Sequence, residues 1–513
     1  MSRPEKHLKP LGVAVCYLPF LLSMVLGTDT REAWWISWLG SWLIFAMVWS
    51  GRVFALEDDR RISDQALRPW FLIHLVYAGY SFVTSIFYWL DLQGWFFLIP
   101  GDHVPAPEKV MALAARAQVL YCLAHAAMVT GFGLARGPAA DLPWRWASRR
   151  SLPEILIKGS ALAYLVSLGL GVLPGLEQFS GKARVLAIVA AGMSIGLAYQ
   201  EKGARWLPVA VGINGVMLVV SLMSGWKEAT LVLVLLNAMA FYPVAPMRTS
   251  VMTFMVFVAA FVVLPSVANT IRRETWTGEN SRQEALVLAW RELRAKSSEE
   301  LAGETWVFLT NRLSEQSLFS SYLDATPGRL RYHGWGIASQ AVIGLVPRRL
   351  WPDKPILEQL VMSRVYENGA VSEHSSVSAK PQFIVDGYLS AGAAGVLLSG
   401  LVLGWLARTC SRWCEEHFGG YLIGGVVFNG LFYIFWRANC WEFFLNPVLW
   451  SLFLAWVLHH LARMGGWITP RGTAARPPKQ LAPGPSARGA DGRSASPSFE
   501  VFGIRPTEHH SAD

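Results

Sequence analysis

The sequence is poor in charge for its length. Charged residues make up only 16% of the 513-residue chain, whereas hydrophobic residues make up 53%. A soluble protein of this length needs charged surfaces for several domains, so the composition excludes an ordinary soluble protein. Runs such as Trp70–Leu90 and Met111–Leu134 are long enough, as helices, to cross a hydrocarbon core of about 30 Å. The sequence therefore predicts an all-α polytopic membrane protein.

The chain also has few cysteines and no recognisable cofactor motif. Its five cysteines lie within or beside the apolar runs, which argues against a disulfide framework. Cys410, Cys414 and His417 look faintly like metal ligands, but structural zinc sites need a fourth ligand. We find neither a P-loop nor a dinucleotide-binding glycine fingerprint. We therefore predict no metal and no cofactor, so any reaction must run on an activated substrate.

The charged residues that are present lie mainly between the apolar runs. The net charge is +9, but the basic residues fall mainly between these runs, without the aromatic and basic patterning of a nucleic-acid reader. The 24 Trp and 14 Tyr suit the two interfaces of a bilayer. We predict contact with membrane lipids and none with nucleic acid. The first apolar run, 11–27, has no small-residue cleavage pattern after it, so we interpret it as a span rather than a signal peptide.

The apolar runs predict about twelve spans and four regions. Residues 1–268 carry nine spans, 269–383 form a large loop, 384–463 carry three spans, and 464–513 form a tail predicted to be disordered. Lys and Arg concentrate in alternate short loops, which places both termini in the cytoplasm and the large loop outside. The predicted spans are 11–27, 33–50, 70–90, 111–134, 157–175, 184–200, 206–223, 229–244, 250–268, 384–407, 420–438 and 443–463.

The large loop is predicted to fold as a helical cap on the outer membrane face. Ser281 with Glu284 forms a capping box that opens a helix through about residue 296. Ser297 with Glu300 opens a second helix in the same way. A third helix is predicted over Pro355–Tyr366, with the proline at the favoured first position.

Cations concentrate in the second half of the loop, after a mainly acidic stretch. Such a cluster suits a phosphate or a pyrophosphate, which arginine binds bidentately and lysine binds as a point charge. Pairing with loop carboxylates or lipid headgroups is the alternative for each of them. The cluster consists of Arg329, Arg331, Arg348, Arg349, Lys354 and Arg364.

Two more cations and two proton acceptors are candidates. Lys227 lies in a short outer turn and Arg437 at the outer end of a span, where a charge beside hydrocarbon is costly and often functional. Each could instead pair with a neighbouring carboxylate or reach lipid headgroups. His374 lies before the tenth span and Asp386 just inside it, and either could accept the proton of an attacking hydroxyl. A lone loop histidine is more often only solvated.

Three segments stand in a characteristic order. They are the turn with its cation at 224–228, the run Gly-Leu-Val-Pro-Arg-Arg-Leu-Trp-Pro-Asp-Lys-Pro at 344–355, and His374 leading to the stretch 385–395. With the predicted topology, this order resembles the Wzy-type O-antigen and exopolysaccharide repeat-unit polymerases. The resemblance implies a GT-C-like membrane glycosyltransferase. It would polymerise undecaprenyl-pyrophosphate-linked repeat units at the outer face of a bacterial inner membrane.

The resemblance also implies roles and partners. Arg348 or Arg349, together with Lys227 and Arg437, would stabilise the departing pyrophosphate. His374 or Asp386 would be the base. A chain-length regulator and a flippase of the same pathway are the implied protein partners. The chain has Asp386 where such polymerases often have glutamate, and its loop lacks an arginine followed by glycine after ten intervening residues. The candidates for substrate binding are Lys227, Arg331, Lys354 and Arg437.

Other functions stay open at this point. An O-antigen ligase shares the plan but passes its glycan to the lipid A core, and the acceptor is not visible in a sequence. A transporter or flippase would need paired charges deep within several spans, or repeated halves with broken helices, and we find neither. A structural or sensory membrane protein is the remaining alternative.

Overall fold

The computed structural model describes residues 8–56, 68–95, 104–135, 142–147, 151–173, 176–200, 205–223, 227–242, 245–276, 281–313, 315–346, 350–374, 379–437 and 439–471. These residues are mostly helical, and the compact unit ends at Arg471. Most of the tail, predicted to be disordered, lies outside the described residues.

The described part of each predicted span is mainly helical, which agrees with an all-α membrane protein. Within the described ranges, six helices are long and apolar enough to cross a membrane, so the count of twelve stays a prediction. These six are Glu108–Leu134, Leu152–Val172, Phe179–Gln200, Pro246–Thr275, Phe383–His417 and Trp441–Met464. The other predicted spans correspond to the helices Pro10–Leu26, Arg31–Trp49, Pro69–Tyr77 with Ala78–Val83 and Ser85–Leu92, Leu207–Met223, Lys227–Phe241, and Tyr421–Leu431 with Ile434–Arg437.

The loop contains the predicted helices and two more. Both capping boxes are confirmed, because Ser281 and Ser297 each exchange hydrogen bonds with the glutamate three residues on, and the helices Arg282–Ala295 and Ser298–Phe308 follow. The third helix begins at Leu357, so the expectation that Pro355 occupies its first position is wrong. The helices that the sequence did not predict are Gln316–Ala325 and Gly336–Leu345. One short antiparallel pair, Trp144–Trp146 with Ile468–Pro470, lies outside the loop.

Small residues bring two long helices into close contact at the core. A Cβ atom on Gly131 would collide with the carbonyl oxygen of Leu401, and one on Gly404 would collide with that of Met128. The backbones of Glu108–Leu134 and Phe383–His417 can therefore approach each other as closely as small-residue packing in membranes allows. This contact fixes the helix that carries Asp386.

The helix Phe383–His417, called the kinked helix below, reverses direction near its start. Its backbone is non-helical at Ala391 and Gly392, and Gly392 has a φ of +62°, which favours glycine. Residues 383–390 then fold back on 393–417, because a Cβ atom on Gly395 would collide with the carbonyl oxygen of Gly387. The short returning piece carries Asp386 to the base of the loop.

Candidate functional site

Asp386 lies in a buried ion-pair cluster at the junction of the loop and the spans. Arg364, on the loop helix Leu357–Glu367, donates from Nη2 to Asp386 Oδ1 over 3.0 Å and from Nη1 to Glu442 Oε1 over 2.7 Å. The arginine side chain is 3% exposed, and both carboxylates are 0% exposed. We call Arg364, Asp386 and Glu442 the Arg364 cluster.

One backbone N–H and a second loop helix complete this cluster. Trp441 is the first residue of the helix Trp441–Met464, where backbone N–H groups have no acceptor within the helix. Its N–H donates to Asp386 Oδ2 over 2.8 Å. Gln340, from the helix Gly336–Leu345, accepts from Arg364 Nη1 over 3.1 Å. The cluster therefore joins two loop helices to the ends of two candidate spans.

The proline and arginine run of the loop reaches the same place. The ammonium of Lys354 is buried and donates to the carbonyls of Gly344 over 3.0 Å and Val346 over 2.9 Å, which closes the run on itself. A Cβ atom on Gly344 would lie 3.3 Å from the carbonyl oxygen of Glu442. The described ends of the run are thus held together beside the Arg364 cluster, whereas Arg348 and Arg349 lie outside the described residues.

The charges of the cluster do not balance. Burial alone would lower the pKa of Arg364, but the facing carboxylates of Asp386 and Glu442 raise it above its ordinary value. The guanidinium is therefore charged, and two carboxylates face it. If both carboxylates were ionised, one negative charge would remain in a fully buried place.

His333 lies beside this cluster and was not among the predicted candidates. Its backbone N–H donates to the carbonyl of Leu389 over 2.8 Å, at the end of the short returning piece of the kinked helix. Burial and the charge of Arg364 lower the pKa of its half-buried imidazole, so this ring is neutral near pH 7.

The other predicted site residues are more dispersed. Arg331 and His374 are exposed on the loop, and Arg437 is exposed with its guanidinium 5.3 Å from the ring centre of Tyr433. Lys227 begins the helix Lys227–Phe241, but its side chain lies outside the described part of the chain. Of the predicted residues that are described, Asp386 belongs to the Arg364 cluster and Lys354 supports the segment beside it. Their roles in binding and catalysis stay predictions.

Sequence reasoning missed Glu442 and the pairing of Arg364. Glu442 is an acidic residue in the first turn of an apolar helix, the same kind of costly charge that singled out Lys227 and Arg437. Applying that rule to carboxylates as well as cations would have found it. The pairing of Arg364 had no local signal, because its partners are 22 and 78 residues away.

One group of described residues has ligand atoms close enough for a metal ion. Those of Asp386, Cys440 and Glu442 all lie within 4.8 Å of one another. Arg364 already occupies one oxygen of each carboxylate, and its positive charge at hydrogen-bond distance opposes a second cation. The chemistry of the site therefore favours an ion-pair cluster over a metal centre.

The comparisons with known proteins provide one match. A family model described as Domain of unknown function (DUF8712) matches residues 18–469. No curated protein and no solved structure matches the chain. The matched range contains the loop and the whole Arg364 cluster.

Proposed function

Because the chain belongs to the DUF8712 family, whose description names no reaction, we propose its function from its own residues. The proposed reaction is the polymerisation of undecaprenyl-pyrophosphate-linked oligosaccharide repeat units into O-antigen or exopolysaccharide. In this proposal all twelve apolar segments span a bacterial inner membrane, in a GT-C-like arrangement. Both termini are cytoplasmic and the loop covers the outer face.

The observation that carries the proposal is the meeting of two motif segments. The run 344–355 and the stretch 385–395 are separate in sequence, yet Gly344 approaches Glu442 while Asp386 and Glu442 share Arg364. Such convergence is typical of a functional site placed where a loop meets a scaffold. It supports a common role for the residues that carry the resemblance.

In the proposed reaction, a hydroxyl of the incoming lipid-linked repeat attacks the anomeric carbon of the growing glycan. The bond from that carbon to the pyrophosphate oxygen breaks, and undecaprenyl pyrophosphate leaves with the electron pair. Arg348 and Arg349 stabilise the charge that develops on it. His374 takes the hydroxyl proton, since its side chain is exposed, whereas Asp386 is buried and both its oxygens accept hydrogen bonds. Lys227, Arg331 and Arg437 are candidates for holding the lipid-linked substrates.

The first test removes the two arginines separately. Arg348→Ala and Arg349→Ala should each reduce polymer synthesis by about 10² to 10³, the usual cost of losing one contact to a developing oxyanion. Lysine at either position should restore activity only in part, because lysine lacks the bidentate fork. Polymer length and the accumulation of single lipid-linked repeats are measured in cells with equal amounts of membrane-inserted protein. Arg294→Ala, at an exposed arginine of the same loop, is the matched control and should make normal polymer.

Three results would contradict the proposal. Normal polymer in both alanine variants would remove the leaving-group role. Full-length lipid-linked polymer without transfer to lipid A core, in cells that lack the protein, would indicate a ligase. Unpolymerised repeats that stay in the inner leaflet would indicate a flippase.

A further inference from the structure

The Arg364 cluster holds two carboxylates and one guanidinium in a place that water does not reach. The exposed fractions of its side chains are 3% for Arg364 and 0% for both carboxylates. We infer that the cluster is a proton-binding site, in which Asp386 and Glu442 share one proton and the folded cluster is neutral. This inference does not depend on the glycan reaction.

The charge balance is the first argument. A buried charge without a partner costs several kcal/mol, and Arg364 can balance only one of the two carboxylates. Two carboxyl groups in one buried site have the lowest free energy when they share a single proton, because this removes the repulsion between two negative charges. A proton therefore removes the excess negative charge without any change in the fold.

The hydrogen bonds are the second argument. Both oxygens of Asp386 accept bonds, from Arg364 and from the N–H of Trp441, and Glu442 Oε1 accepts from Arg364. Glu442 Oε2 is buried and has no hydrogen-bond partner within the described residues. Carboxylate oxygens of Asp386 and Glu442 lie within 4.8 Å of each other. A proton held between the two carboxyl groups would give Glu442 Oε2 a hydrogen-bond partner.

The groups described below, which surround the cluster, do not supply a positive charge that could take the place of the proton. Tyr322 and Cys440 face the cluster as neutral groups, and His333 is neutral because burial and Arg364 lower its pKa. Glu367 faces His333 and is exposed to solvent.

The nearby lysines are engaged elsewhere. The ammonium of Lys354 donates to two loop carbonyls. Lys380 pairs with Glu358 over 2.8 Å and lies 3.9 Å from the ring centre of Phe443. Neither contact brings an additional positive charge onto Asp386 or Glu442, so the proton remains the simplest counter-charge.

A divalent metal with an ionised Cys440 would balance the same charges and is the competing occupant. It would have to share both carboxylates with Arg364, and it would find three protein ligand atoms within 4.8 Å of one another. The experiment must therefore distinguish a proton from a metal.

The test uses the purified full-length protein in detergent, with infrared spectroscopy and thermal unfolding. Wild-type protein at pH 7 should show the carbonyl band of a protonated carboxylic acid, which shifts in D₂O. Glu442→Gln and Asp386→Asn should each remove this band, because the remaining carboxylate ionises against Arg364. Glu442→Gln should unfold near the wild-type temperature, since the amide replaces a group that is already neutral. The double variant should unfold far lower than the two single effects predict, because Arg364 loses its last counter-charge.

The matched control is Glu415→Gln, which removes the carboxylate of another buried ion pair, Arg68 with Glu415. It should lower the unfolding temperature by several degrees and leave the infrared band in place. Absence of the band from wild-type protein would overturn the inference, as would Glu442→Gln unfolding as low as Glu415→Gln. Stoichiometric metal in EDTA-washed wild-type protein, lost in Glu442→Gln, would replace the proton by a metal. The wild-type band and metal content decide the question even if a variant does not fold.

Discussion

The two ends of the kinked helix hold buried carboxylates in different ways. Near its end, Glu415 accepts from Arg68 over 3.0 Å, with side chains 8% and 6% exposed. Near its start, Asp386 shares Arg364 with a second carboxylate, Glu442. Two buried sites on one helix therefore differ in their balance of charge. A buried pair can be neutral by itself, whereas the cluster needs one more positive charge.

The two arginines also come from different parts of the chain. Arg68 directly precedes the helix Pro69–Tyr77, so its pair ties two helical segments of the membrane region together. Arg364 comes from the loop, so its cluster ties the loop to the spans. Movement of the loop relative to these helices would disturb the Arg364 cluster, whereas both members of the Arg68 pair come from segments outside the loop. The start of the kinked helix is therefore the end that is joined to the loop.

The largest expected effect comes from removing each arginine. Arg364→Met should reduce stability by about 3–5 kcal/mol, because Asp386, Glu442 and Gln340 each lose a buried hydrogen-bond donor along with the positive charge. Arg68→Met should cost less, since its pair contains one carboxylate and both side chains are slightly more exposed. Both are measured as thermal unfolding of the purified protein in detergent. A larger loss from Arg68→Met would show that the second carboxylate adds nothing, and the contrast between the ends would fail.

The next effect comes from the reversal of the kinked helix. Gly395→Ala places a methyl group against the carbonyl oxygen of Gly387, and backbone cannot move aside easily, so a loss of about 1–3 kcal/mol is expected. Gly303→Ala, in the loop helix Ser298–Phe308, meets no atom within 4 Å. This control should gain about 0.5–1 kcal/mol from helix propensity. Equal behaviour of the two variants in thermal unfolding would argue against the close contact.

Much of the helical framework could be predicted from local sequence, but the contacts of the site could not. Apolar runs and the capping boxes at Ser281 and Ser297 act over a few residues, and both appear as helices in the structure. The start of the third loop helix was misjudged because Pro355 suits the position before a helix as well as the first one. Asp386 was identified as a candidate, yet its burial and its sharing of Arg364 depend on residues far along the chain.

A smaller effect tests how the loop reaches the cluster. Lys354→Met keeps the length of the side chain but leaves the carbonyls of Gly344 and Val346 without their donor, at a cost of about 1–3 kcal/mol. Lys109→Met is the control, because Lys109 is 74% exposed and pairs with an exposed aspartate. It should change stability by less than about 1 kcal/mol. If the two variants unfold at the same temperature, the hydrogen bonds of Lys354 do not stabilise the segment 344–355. That result would favour the proposed role of Lys354 in substrate binding.

The smallest effect concerns pH at the Arg364 end. The folded protein lowers the pKa of His333 below its ordinary value of 6.5, so the neutral ring is favoured in the fold. Its contribution to stability is full above about pH 6.5 and is lost as the pH falls below that value. His333→Gln should therefore flatten the loss of stability between about pH 7 and pH 5 by less than about 1 kcal/mol, because the half-buried ring is partly screened by solvent.

The measurement compares unfolding temperatures of wild type and His333→Gln at both ends of this pH range. Gly303→Ala, which removes no titratable group, is the control and should keep the wild-type slope. A steeper slope in His333→Gln would reverse the sign of the linkage and mean that His333 is charged in the fold. The shared proton of the cluster has the opposite sign, because the folded cluster holds it at pH 7 whereas the carboxylates of the unfolded chain do not, so it stabilises the protein as the pH falls. A gain of stability in acid that disappears with Glu442→Gln would belong to that proton. The two titrations at this end can thus be separated by one pair of substitutions.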